Sequence, residues 1–181
     1  LEARQNQFPM LETAAEDLSD EAGLRQSALE SGLSRHLAEA HGHVVRSMPA
    51  RVMETTPYRH DFHGKRVLFN ELTPSETRVF ALGKIVAELR LRDEINDIIA
   101  AAKLREPASE AMLRTTLTSY FAAALMMPYA RFTEAALETR HDIDILQARF
   151  GASFEQVAHR LTTLQRPGTR ALPFFLLRMD A

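Results

Sequence analysis

Thr73-Pro74-Ser75-Glu76-Thr77-Arg78-Val79-Phe80-Ala81-Leu82-Gly83-Lys84-Ile85-Val86-Ala87-Glu88-Leu89-Arg90-Leu91 is the point at which one kind of pattern gives way to another. Thr73 and Glu76 stand at capping-box spacing with Pro74 at the first helical position, so a helix is expected from residue 74 to about residue 91. Upstream, between His41 and Glu71, short runs at 44–45, 51–53, 58–62 and 66–69 are separated by Gly42, Pro49, Pro57 and Gly64. Such runs predict β-strands, and His63-Gly64-Lys65 predicts a hairpin turn in which glycine accepts the positive φ. Downstream, helices are expected over 93–103, 108–127, 130–139 and 142–149. Pro128 closes the second of these and Gly151 the last. Ser153-Phe154-Glu155-Gln156 is a second capping box opening a helix to residue 164, and residues 171–178 read as a last strand. A small antiparallel sheet beside a majority of helices makes the class α+β.

The first forty residues have a different character. They carry eight acids and three bases, whereas residues 41–181 carry sixteen acids and nineteen bases. Leu11, Ala15, Leu18, Ala22, Leu29, Leu33, Leu37 and Ala40 recur at spacings of three, four or seven, which draws one apolar stripe on a helix or on two, broken near Gly23 or Gly32. Because a stripe of this kind needs a partner surface, residues 1–40 read as a helical linker or dimerising arm, and 41–181 as one folded domain.

Composition sets outer bounds. An apolar fraction of 45% with 25% charged residues excludes disorder as the main state, and a net charge of −2 gives no general attraction to polyanions. The absence of Cys excludes disulfides, thiolate metal sites and Cys nucleophiles, and fits a reducing cytoplasm. The longest apolar runs, 121–128 and 171–177, are too short to span a bilayer. A chain that starts at Leu1 and stops at Ala181 just after an apolar run reads as a piece of a longer protein.

Three constellations could carry chemistry. His36, His41, His43, His60 and His63 gather within 28 positions, close enough for a metal site to be conceivable, but no spacing fixes them on a rigid element and surface or hydrogen-bonded histidines account for them as well. Residues 142–164 have the layout of a helix-turn-helix whose second helix would present Ser153, Glu155, Gln156, His159 and Arg160. With two Arg against three acids it is poor in the phosphate contacts that DNA affinity needs, and a packing role suits it better. Finally, Tyr120 and Tyr129 flank the central apolar helix, while Arg59, Arg66 and Arg178 lie near predicted strands. An anionic ligand with an aromatic base would suit them, through guanidinium–phosphate bonds and ring stacking. There is no Gly-rich phosphate loop, no nucleophile elbow and no HExxH.

Ser119-Tyr120-Phe121-Ala122-Ala123-Ala124-Leu125-Met126-Met127-Pro128-Tyr129-Ala130-Arg131-Phe132 resembles the FAAxLLMP stretch of ImmA/IrrE-type domains. The run from Arg149 through Phe150-Gly151-Ala152-Ser153-Phe154-Glu155-Gln156-Val157-Ala158-His159-Arg160-Leu161 to Gly168, followed by Pro173-Phe174-Phe175, resembles one branch of them more closely. That branch is the short-chain fatty acyl transcriptional regulators, which include propionate-catabolism activators. The resemblance implies an effector-binding module for a short-chain acyl-CoA. It also implies a DNA-binding helix-turn-helix domain N-terminal to this segment. The resemblance does not say which groups hold the ligand; the residues themselves offer Tyr120 and Tyr129 for the acyl or adenine end and Arg59, Arg66 and Arg178 as phosphate candidates.

The peptidase relatives of these domains carry HExxH, two zinc-binding histidines and a glutamate base. Here Lys84 and Glu88 stand at the two histidine positions and Ile85 at the glutamate position, and no Asp, Glu or His occurs from 111 to 121, where a third ligand would come from. An ammonium at Lys84 would repel a cation. The expectation is therefore a non-enzymatic sensor with no metal, a degenerate metallopeptidase domain that acts as a possible homodimer. Two alternatives stand beside it: a zinc peptidase using His41, His43, His60 and His63, and a DNA-binding module using residues 142–164.

Overall fold

A computed structural model describes residues 8–164. The expected strand at 171–178, and Arg178 with it, lie outside them. The chain opens with α1 (Pro9–Glu21), breaks at Gly23, makes a short 3-10 turn (Gln26–Ala28) and continues as α2 (Leu29–His41). Then come β1 (Val44–Met48), α3 (Ala50–Met53), β2 (Tyr58–Asp61) and β3 (Arg66–Asn70). Six further helices follow: α4 (Ser75–Arg90), α5 (Arg92–Ala101), α6 (Pro107–Met126), α7 (Tyr129–Glu138), α8 (Ile143–Phe150) and α9 (Phe154–Thr162).

The α+β class holds, with corrections in the sheet. Its order is β1-β3-β2, with β2 antiparallel to β3 as the hairpin requires but β1 parallel to β3, in register from Val44 opposite Arg66 to Met48 opposite Asn70. The sheet is mixed rather than antiparallel, because the chain between β1 and β3 is long enough to cross over and carries α3 and β2 on the way. Residues 51–53, expected as a strand, are helical: Pro49 sets the turn, and the Glu71 carboxylate accepts the Ala50 N–H at 2.8 Å. In the hairpin the positive φ falls on Lys65 (49°), and Gly64 answers a different demand. The Asp61 carboxylate accepts its N–H at 2.7 Å and fills the space that a Cβ would need.

β3 is the central strand, and Val67 and Phe69 on its inner face are fully buried. Above them α4 crosses α6 so closely that a Cβ on Gly83 would lie 2.9 Å from the Ala122 methyl. The stripe foreseen over the first forty residues exists as Leu11, Ala15 and Leu18 on α1 and Leu29, Leu33 and Leu37 on α2. It packs into the same core, α1 against α6 and α2 against α4. The partner surface such a stripe needs is thus in this chain.

The two capping boxes differ. At α9 the box forms: the Ser153 hydroxyl accepts the Gln156 N–H at 3.3 Å, and the Gln156 side chain accepts the Ser153 N–H at 2.8 Å. At α4 it does not, because the Thr73 hydroxyl donates to the Pro57 carbonyl at 2.8 Å and joins the helix to the sheet; Pro74 is the N-cap. Among the described residues no helix is long and apolar enough to cross a membrane.

Candidate functional site

Between α4, α6 and α9 lies a cavity of about 590 Å³, within the range of small-molecule sites. Its apolar wall is Phe8, Phe80 and Ala123, and around them stand the hydroxyls of Thr77, Thr115, Ser119, Ser153 and Thr163. Glu155 and His159, both exposed, lie at its α9 side 3.9 Å apart. Tyr120 and Arg160 also line it.

Arg160 organises the inner end. Although it lies on α9, its side chain is fully buried and points inward. Its Nη1 donates to Glu12 Oε1 at 2.7 Å and its Nη2 to Glu12 Oε2 at 2.9 Å, while Nε donates to the Met127 carbonyl at 3.0 Å. The guanidinium lies 5.7 Å from the ring centre of Tyr120 and 5.8 Å from that of Tyr129, so it is faced by two aromatic rings as well as a carboxylate. The Tyr120 hydroxyl donates to Glu12 Oε1 at 2.7 Å. Burial, followed by the Glu12 charge, raises the Tyr120 pKa, with Arg160 acting in the opposite sense. The phenol is therefore a neutral donor at physiological pH. The fork of Arg160 is taken up by Glu12, which leaves the cavity rich in neutral hydrogen-bonding groups and poor in free cations.

The residues named from sequence are distributed unevenly. Tyr120 and Tyr129 come together around Arg160, Tyr120 on the cavity and both buried. Arg59 and Arg66 are exposed on β2 and β3, away from this lining. Glu12 and Arg160 were missed in these roles, though the signal is present: on α9 Arg160 shares the face of Val157 and Leu161, and on α1 Glu12 shares that of Leu11, Ala15 and Leu18, all of them buried. Opposite charges on two apolar stripes are the mark of a buried pair.

That placement agrees with the packing role preferred for residues 142–164 over an outward, DNA-reading one. Helices α8 and α9 do form two short helices joined at Gly151, but Leu146, Phe150, Val157 and Leu161 pack inward, and Ser153 and Gln156 are engaged in the cap. Arg160, which the helix-turn-helix alternative would present to DNA, is 1% exposed.

The position of the peptidase motif falls within α4. Ile85, where a general base would stand, is buried. Glu88 is half-buried, and burial raises its pKa against the opposing charges of Lys84, Arg114 and Arg92. The histidines pair rather than converge: His36 with His41 at 5.5 Å and His43 with His60 at 5.3 Å between ring centres. Among the described residues no group of three His, Cys, Asp or Glu side chains is placed to hold a metal ion.

Residues 38–162 match the IrrE N-terminal-like domain family. The chain is 35% identical over 178 residues to the HTH-type transcriptional regulator RamB of Mycobacterium tuberculosis, a match covering 98% of this chain and 37% of that protein. It is 33% identical to the propionyl-CoA carboxylase regulator of Cereibacter sphaeroides, covering 97% of this chain and 36% of the relative. It is also 33% identical to the HTH-type transcriptional regulator PrpR of Mycobacterium tuberculosis, covering 98% and 36%. The chain thus spans little more than a third of these relatives' length. A solved Mycobacterium tuberculosis transcriptional regulator superposes with a TM-score of 0.87 at 32% identity, over 93% of this chain and 51% of that one.

Proposed function

This chain belongs to the IrrE N-terminal-like domain family, and from that membership we propose that it is the effector-sensing segment of a bacterial transcriptional regulator of short-chain fatty acid metabolism. The effector is a short-chain acyl-CoA of the propionyl type, and DNA is read by a helix-turn-helix domain outside this chain. One relative's name includes propionyl-CoA carboxylase, which supports the class of effector. The observation that carries the reading is the cavity beside Tyr120.

A cavity of about 590 Å³ edged with hydroxyls and closed by Phe8, Phe80 and Ala123 suits an acyl chain followed by the two amides of pantetheine, which ask for neutral donors and acceptors. Because Arg160 is neutralised by Glu12, the phosphates of coenzyme A lie outside this cavity in our reading. Arg59 and Arg66, exposed on the sheet, are not needed for the acyl end. The segment acts by binding and not by catalysis: Lys84, Ile85 and Glu88 replace the residues that hold zinc and the catalytic base in the peptidase pattern.

The experiment is thermal melting with coenzyme A, acetyl-CoA, propionyl-CoA and a longer acyl-CoA. A ligand at 100 times its Kd raises stability by about 2.7 kcal/mol, so a shift graded by acyl length supports the reading. No shift with any of them rejects it. A gel-shift titration with this chain alone is expected to show no DNA binding.

A further inference from the structure

α1 is tied to the cavity at two levels. Phe8, immediately ahead of the helix, lines the cavity and meets the Tyr120 ring edge-on at 5.3 Å. One turn further along, Glu12 accepts the Tyr120 hydroxyl and both prongs of Arg160. Tyr120 and Arg160 are themselves cavity residues. A ligand in the cavity therefore touches Phe8 directly and lies against Tyr120, whose hydroxyl holds Glu12 beside the buried Arg160.

We propose that occupancy of the cavity and docking of α1 are coupled: a bound acyl-CoA clamps α1 against α6 and α9, and undocking of α1 opens the cavity wall and weakens the ligand. This rests on reading the cavity as the acyl-CoA site. The sign of the coupling follows from the geometry. The cavity is open while all the Glu12 bonds are in place, so a ligand that fits it adds contact with Phe8 and breaks none of them. The materials of the contact suit a switch. A buried ion pair gains little net stability over an apolar pair of the same shape, yet it is demanding in geometry, so α1 is held in one register by bonds of small net strength. Such an element is one whose population a ligand can shift.

The test is amide hydrogen exchange on the whole chain, with propionyl-CoA as the probe. The expected result is slowed exchange over residues 11–18 together with the cavity-facing parts of α4, α6 and α9. Phe8→Ala is the accompanying variant, because it alters the wall without stripping either member of the ion pair. It is expected to weaken propionyl-CoA binding about tenfold, within the usual range of coupling between sites, and to shrink the ligand-induced slowing of exchange over residues 11–18. If propionyl-CoA raises the melting temperature and protects α4, α6 and α9 while exchange in α1 stays the same, the coupling is overturned and the sensor reading stands. If no acyl-CoA raises the melting temperature or protects any helix, the sensor reading fails and takes the coupling with it.

Discussion

Glu12 and Arg160 are separated by 148 positions in the chain, and they meet as a two-pronged ion pair with side-chain exposures of 1% and 0%. The Tyr120 hydroxyl on Oε1, the Met127 carbonyl on Nε and the Thr163 hydroxyl on Nη1 add to their hydrogen bonding. The pair joins the first described helix to the last.

Removing one partner leaves the other as a buried, uncompensated charge. Glu12→Met and Arg160→Met are each therefore expected to lower the unfolding free energy by about 3–5 kcal/mol, whereas replacing both residues by methionine should lower it by less than either single change. Urea denaturation of the three variants measures this. A double variant whose loss equals the sum of the single losses would mean that the two side chains act independently.

Gly83→Ala should be destabilising by about 1–3 kcal/mol, although alanine is the better helix former by about 1 kcal/mol. The added methyl meets Ala122 Cβ at 2.9 Å and its Cα at 3.0 Å, across the closest approach of α4 and α6. Thermal melting reads the loss. Ala122→Gly in the same chain should recover part of it, since it removes the nearer of the two obstructing atoms.

The histidines make stability fall on the acid side. Burial, first of all, lowers the pKa values of His36, His41 and His60 below the usual 6.5. Arg90 assists at His36 and His41, Lys65 at His41, and the neighbouring imidazoles at His41 and His60. Glu21 and Glu39 oppose the shift at His36, as Asp61 does at His60. The folded chain thus binds these protons less readily than the unfolded chain does. The associated stability is present above about pH 6.5 and is lost as pH falls through the lowered folded values. Melting temperatures should be level from pH 8 to 7 and decline below 6.5, and His41→Gln should flatten the decline.

The two helix starts should respond differently to loss of a hydroxyl. Ser153→Ala removes a working cap from α9 and should cost about 1 kcal/mol. Thr73→Val should cost less, because the Pro57 carbonyl that Thr73 serves still accepts the Asn70 N–H at 2.9 Å and α4 was never capped by Thr73. Chemical denaturation of the two variants decides the order.

Helix positions were legible because they rest on local signals: proline at a start, glycine at a stop, apolar residues three and four apart. The second box at Ser153 is local in the same sense, and it formed as written. Where a distant partner competed, the local reading gave way. Thr73 turned to Pro57 instead of its own helix, and β1 paired in parallel with a strand that the linear order does not place beside it. The site was half legible for the same reason. Tyr120 and Tyr129 stood out as polar aromatics at the two ends of an apolar run, but the buried role of Arg160 depends on a counterion 148 positions away, which no local pattern shows.

The span between Glu12 and Arg160 also bears on how the protein is made. Synthesis runs at about 5–20 residues per second, and α1 leaves the ribosome well before α9, since Glu12 and Arg160 lie 148 positions apart. During the interval Glu12 has no guanidinium to receive it, and an uncompensated carboxylate cannot be buried cheaply. The apolar stripe of α1 therefore has no finished seat until the rest of the domain exists. A nascent chain halted ahead of Arg160 should leave α1 open to protease, and the emergence of α9 should be the step that shuts it away.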